Sequence, residues 1–144
     1  GTDGCASNND HDMFGEMDTA AKLHKVFRRD PSLLDARKVL EMATSDGAKV
    51  LGLDGIIGSI AVGRAADIIV VDTAKPHLTP MYNPYSQLVY AASGADVRTS
   101  IINGRLVMKD RRLLTVDQEA AMDAVEAIAA EIVQDTPNLA RRKK

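Results

Sequence analysis

Residues 54–76 read DGIIGSIAVGRAADIIVVDTAKP, and here the texture of the chain changes. Glycines at 55, 58 and 63 punctuate short apolar runs, and β-branched residues dominate the stretch from 68 to 73. That pattern belongs to turns and strands rather than to helix. The run at 67–72, DIIVVD, is continuous instead of alternating, so this strand is expected to be covered on both faces.

Upstream of this stretch the periodicity is helical. Residues 13–27 place Met13, Met17, Ala20, Leu23 and Phe27 at helical spacing as a core-facing stripe. Asn8, Asn9 and Asp10 are candidate caps, Asp12 and Glu16 suit the positive end of the helix dipole, and Pro31 stops the chain after Arg28 and Arg29. A second helix is expected to start near Asp35, with Ala36, Val39, Leu40 and Ala43 on one face. The same face would continue through Gly47, Val50 and Leu51 after a break near Thr44.

Downstream, residues 75–84 form a loop with three prolines, and 85–93 (YSQLVYAAS) read as a short helix. Residues 97–114 read as two strands joined at Asn103-Gly104, the dipeptide that best accepts the positive φ angles of a tight hairpin. The Ala-rich segment 117–134 predicts a long helix with Met122, Val125, Ile128 (or Ala129) and Ile132 as its buried stripe. Thr115 to Gln118 would form a capping box and Pro137 would end the helix.

Composition bounds the function classes. The chain has 144 residues, 45% hydrophobic and 26% charged, within the range of one globular domain. Its net charge of −2 supplies no attraction for nucleic acid or an anionic membrane. The basic ending 140–144, ARRKK, reads as a solvated tail. No run approaches the roughly 18 apolar residues of a membrane helix, and no signal-peptide pattern opens the chain. The single cysteine, Cys5, excludes an internal disulfide, suits a cytoplasmic setting and reads as a small loop residue.

Taken alone, the residues advertise little chemistry. The three histidines, His11, His24 and His77, form no HxH or HExxH pair. One cysteine cannot complete the zinc site of a cytidine-deaminase type. Ser7, Ser45 and Ser59 lack a Gly-x-Ser-x-Gly setting, and GLDGIIG at 52–58 is not a dinucleotide fingerprint. At this level Asp3 is a turn residue beside glycine. The order of elements, with few strands and no obvious sheet partners, fits either a small α+β domain or the C-terminal part of a larger enzyme.

Three stretches carry a resemblance that favours the second reading. Residues 1–25, GTDGCASNNDHDMFGEMDTAAKLHK, resemble the segment after the eighth barrel strand in the amidohydrolase superfamily. The resemblance is greatest for the branch of methylthioadenosine/S-adenosylhomocysteine deaminases and related chlorohydrolases. Residues 40–73 resemble its passage into a small β-domain, where Gly-Ser-x-x-x-Gly-x-x-Ala-Asp recurs, and 75–114 continue in register. The resemblance implies an α/β fold: the C-terminal fragment of a (β/α)8 barrel, part of a small β-sandwich-like domain, and a C-terminal helix. It divides the chain into 1–53 (end of barrel strand 8 and following helices), 54–116 (C-terminal part of the β-domain) and 117–144 (terminal helix and basic tail).

It also implies a site. In such enzymes the metal lies at the C-terminal face of the barrel, held by four histidines and an Asp at the end of strand eight. Asp3 matches that Asp, while the histidines would lie in the missing N-terminal barrel region. Asp3 would be both zinc ligand and catalytic carboxylate, taking a proton from the attacking water and relaying it to the leaving amine. Ser7 and Asn8 become candidate contacts for a purine-type substrate, although capping accounts for Asn8 equally well. His77 falls in a β-domain loop and is expected to be structural. The implied activity is hydrolytic deamination of S-adenosylhomocysteine or methylthioadenosine, the chain alone being inactive and prone to self-association. A triazine chlorohydrolase, a guanine deaminase and a non-catalytic interaction domain are the competing readings.

Overall fold

The computed structural model describes the backbone of residues 1–141 and the side chains of residues 1–133. Among the described residues, five α-helices and a four-stranded antiparallel sheet occur in the order α1 Met13–Arg28, α2 Ala36–Ala43, α3 Ser45–Val50, β1 Ile68–Val71, α4 Pro84–Tyr90, β2 Val97–Ile102, β3 Arg105–Lys109, β4 Arg112–Leu113 and α5 Gln118–Arg141. No helix among the described residues is long and apolar enough to cross a membrane.

The first helix starts where a carboxylate can serve its free amides. Asp12, not the expected Asn8, Asn9 or Asp10, is the N-cap, its side chain accepting from Phe14 N at 2.9 Å. The buried face is Phe14, Met17 and Ala21, whereas Met13, Leu23 and Phe27 are 40%, 60% and 78% exposed. Two stripes at helical spacing both pass through Met17, and packing against α2 and α4 selects the one containing Phe14 and Ala21.

Asp35 caps α2 by accepting from Lys38 N, and the break at Thr44 (φ −127°, ψ −94°) falls where expected. The new helix restarts in a different phase. Ala48 is therefore buried, while Val50 and Leu51, expected on the core face, are exposed. Asn83 caps α4 with Pro84 in the first turn, where a missing N–H costs nothing. Phe14, Met17 and Ala21 of α1, Val39 of α2, Val89 of α4 and Val97 of β2 form one core that ties the helices to the sheet.

Strand order is β1-β2-β3-β4. Ile68 lies opposite Ile101 and Val70 opposite Thr99, and Ile102 opposite Arg105 closes the β2–β3 hairpin. Asn103 (φ +48°) and Gly104 (φ +74°) make the expected two-residue turn. The Asp67 carboxylate accepts from Asn103 N, and Ala66 O accepts from Gly104 N at 3.0 Å, so the start of β1 braces that turn. The run 67–72 is not covered on both faces in this chain, since Ile69 and Val70 are each about half exposed. Being an edge strand, β1 lacks a neighbour on its outer side among the described residues.

A second two-residue turn, Asp110-Arg111 (φ +49° and +66°), leads into β4 and was not anticipated, because Arg rarely adopts the left-handed region. Tertiary bonds hold it. Arg111 Nη1 donates to Gly94 O and Val97 O (2.9 and 3.1 Å), and Asp110 pairs with Arg98.

The last helix is capped by Asp117, which accepts from Ala120 N at 3.1 Å, rather than by a box between Thr115 and Gln118. It runs past Pro137, the expected stop, to Arg141, although an interior proline removes a backbone donor and crowds the carbonyl four residues back. Met122, Val125, Ile128 and Ile132, expected to be buried, are each more than half exposed. Ala-rich propensity and a cap suffice to form a helix, but burial requires a facing surface, and among the described residues Met122, Val125 and Ile128 remain more than half exposed. Of the expected basic tail, residues 142–144 lie outside the described residues.

Between α3 and β1 the chain is all turns, and Gly58 decides their course. Its φ is +86°, and a Cβ there would sit 2.7 Å from Ala48 Cβ and 3.0 Å from Thr44 O. Gly63 has the same φ with nothing within 4 Å. We therefore expect Gly58→Ala to cost on the order of 3 kcal/mol in a urea titration, combining left-handed strain with overpacking. Gly63→Ala should cost only about 1 kcal/mol.

Candidate functional site

The residues singled out from sequence lie in the segment that precedes α1. Asp3 has φ +60°, and its Oδ1 accepts from Gly4 N at 2.8 Å. Gly4 O accepts from Ser7 N and Asn8 N (2.9 and 3.0 Å), closing a turn that holds Asp3 at its entrance. Asp3 and Ser7 are exposed, and among the described residues no side chain bonds Asp3 Oδ2. Asn8 is half-buried and donates from Nδ2 to Glu16 Oε1 at 2.9 Å, so it braces α1 from the side instead of capping it. Cys5 Sγ lies 3.3 Å from His11 Nε2, and both residues are exposed.

The structure thus keeps Asp3, Ser7 and Asn8 within one loop. His11 belongs to the same loop, His24 is exposed on α1, and His77 sits in the turn after β1. Among the described residues no three His, Cys, Asp or Glu side chains come together as a metal-holding group. Structural zinc takes four such donors, and a catalytic zinc three plus water. The residues present therefore do not fit a complete zinc site by themselves.

His77 has a partner that sequence reasoning did not find. Its Nε2 lies 3.0 Å from Asp96 Oδ2, and Asp96 is 5% exposed. Ser93 N and Ser93 Oγ donate to the same oxygen at 2.9 and 3.2 Å. The hydrogen bond from His77, with those from Ser93, holds the Asp96 carboxyl below its ordinary value of 3.8 despite burial. A folded-state pKa below the unfolded one contributes stability that is present above about pH 4 and lost as pH falls through the folded value. Asp96→Asn should lower stability at pH 7 by about 1–3 kcal/mol and flatten the acid limb of stability below pH 4. Urea midpoints between pH 2 and 7 check both. The spacing Ser93-x-x-Asp96 was the available sequence signal, a capping box on a three-residue turn.

Among the described residues, helices pack on a four-stranded antiparallel sheet and a loop with an exposed carboxylate leads into the first helix. Residues 1–107 match the model of the amidohydrolase family, and the chain belongs to that family. Over 132 residues it is 60% identical to a 5-methylthioadenosine/S-adenosylhomocysteine deaminase of Syntrophobacter fumaroxidans, covering 92% of this chain and 30% of the relative. It is 52% identical over 133 residues to a 5′-deoxyadenosine deaminase of Methanosarcina acetivorans, with the same coverages. Among solved structures, an adenosine deaminase from Xanthomonas campestris with bound zinc superposes with a TM-score of 0.89 at 41% identity, covering 93% of this chain and 30% of that one. The chain spans about 30% of the length of the curated relatives it matches.

Proposed function

We propose that this chain supplies the carboxylate part of the active site of a metal-dependent hydrolase that deaminates an adenosine derivative. The derivative is S-adenosylhomocysteine, 5′-methylthioadenosine or 5′-deoxyadenosine. The observation that carries the reading is the 60% identity to a deaminase over 132 residues. The TM-score of 0.89 to a zinc-bound adenosine deaminase supports the same choice. Asp3 would be the working residue and one donor to a zinc ion, the remaining donors coming from outside the matched region.

Asp3 is suited to a proton-carrying role. An exposed carboxylate with one oxygen fixed by Gly4 N keeps the other free to accept from water. Water adds its oxygen to C6 of the purine as Asp3 takes one proton. That proton passes to the amino nitrogen, the C–N bond breaks, and ammonia leaves. Ser7 offers an exposed hydroxyl in the same loop, while Asn8 spends one Nδ2 hydrogen on Glu16 and keeps its carbonyl oxygen and the second N–H.

The test is a chimera in which this chain replaces the matched residues of the Syntrophobacter relative. It is assayed for ammonia release from the three adenosine derivatives and from guanine, and for chloride release from a chlorotriazine. Turnover of an adenosine derivative is expected. Activity confined to guanine or the chlorotriazine would overturn the substrate reading, and a folded chimera without any turnover would overturn the role proposed for the chain.

A further inference from the structure

Apart from the turn at 4–8, the segment bearing Asp3 has few anchors. Asn8 reaches Glu16 on the adjacent helix. The long-range tie is Asp12, whose two carboxylate oxygens are divided between two amides. Oδ1 accepts from Phe14 N at 2.9 Å and caps α1, while Oδ2 accepts from Gly94 N at 2.9 Å, 82 residues further along the chain.

Capping alone needs one acceptor, which Ser, Thr or Asn would supply equally well. A carboxylate offers two acceptors and no donor, and both are used here. Gly94 is shaped for this contact. A Cβ at that position would sit 3.3 Å from Asp12 Cγ and Oδ1, closer than most side chains tolerate. On its other side Gly94 O accepts from Arg111 Nη1 at 2.9 Å, in the turn that enters β4. An unbroken path of bonds thus runs from the end of the Asp3 segment through Asp12 and Gly94 to the sheet.

We propose that Asp12 is a positioning residue that tethers the Asp3-bearing segment to the turn at 94–96. Its consequence for catalysis rests on the role given to Asp3 above, whereas the tether itself does not. Asp12→Ser keeps a capping oxygen and loses the second acceptor. Asp12→Asn keeps the cap and turns an amide donor towards Gly94 N–H. Asp12→Ala loses both bonds. Cys5 is the chain's single cysteine, is exposed and lies two residues from Asp3, so a nitroxide attached there reports the motion of the segment.

Hydrogen exchange at Gly94 is expected to speed up about tenfold or more in Asp12→Ser and Asp12→Asn. The nitroxide spectrum should sharpen in both, with α1 helicity retained and lost in part only in Asp12→Ala. Unchanged Gly94 exchange and an unchanged spectrum in the Ser and Asn variants would reduce Asp12 to a cap and overturn the proposal. A Gly94 amide that exchanges at the free-peptide rate in the unmodified chain would overturn it however the variants fold. In the chimera, Asp12→Ser should lower kcat about tenfold to a hundredfold with KM kept, the signature of a misplaced reacting group. An unchanged kcat beside a loosened segment would overturn the positioning role and leave Asp3 to be judged by its own substitution.

Discussion

Asp3→Asn in the chimera is expected to lower kcat by about 10²–10⁴-fold, the range spanned by loss of a positioned acid–base group. Asn is close in shape to Asp and retains an oxygen that can accept from Gly4 N, the bond that now fixes Asp3 at 2.8 Å. The turn closed by Ser7 N and Asn8 N on Gly4 O does not involve the side chain and should persist. What the amide cannot do is take up a proton near neutral pH. The loss should therefore appear in kcat, with KM changed by less than about threefold, because an interaction made chiefly in the transition state has been removed. Zinc content of the chimera should fall in parallel. A variant that keeps more than a tenth of the parental kcat would return Asp3 to the status of a turn residue.

Leu78→Ala is expected to have one of the two largest effects on stability, about 3 kcal/mol within the 2–5 range for buried Leu to Ala. Leu78 is 1% exposed and, with Val39 and Val89, is among the largest fully buried side chains. The backbone around it is pinned by Leu78 N donating to Lys75 O and by Gln87 Nε2 donating to Leu78 O and Pro80 O. A pinned site cannot collapse into the space vacated, so the cavity term adds to the lost transfer energy. Domains hold only about 5–15 kcal/mol in total, so the shift in urea midpoint will be large. Leu78→Met, which conserves volume, should cost less than about 1.5 kcal/mol and keeps the comparison open if the Ala variant does not fold. Val62→Ala, at a fully exposed position, should stay within about 0.5 kcal/mol. Equal losses at positions 62 and 78 would contradict the burial pattern.

How much was legible depended on whether a feature is local. The break at Thr44, the helix start at Asp35 and the Asn103-Gly104 hairpin were all readable, because each is set by residues within a few positions of one another. The faces were not. Met17 belongs to two helical stripes on α1, and only the arrival of Val39 and Val89 made Phe14 and Ala21 the buried pair. The stripe of α5 has the periodicity of a core face and stands exposed, since periodicity records a capacity for burial and not the presence of a partner.

The candidate site divides in the same way. Asp3, Ser7 and Asn8, the residues proposed for the site, are neighbours in the GTDGCASNND motif. Asp12 carried only the weak signal of an acid near a helix start, and its bond to Gly94 spans 82 residues.

The sequence by itself determined the family and the positions of most helices and of the hairpin, because motif and turn chemistry are short-range properties. Tertiary structure alone decided four things: which stripe of α1 is buried, that Asp96 is sheltered and bonded by His77, that Arg111 can occupy the left-handed region, and that Asp12 reaches Gly94. Each of these depends on atoms far apart in the chain being brought into contact, a proximity that no local propensity encodes.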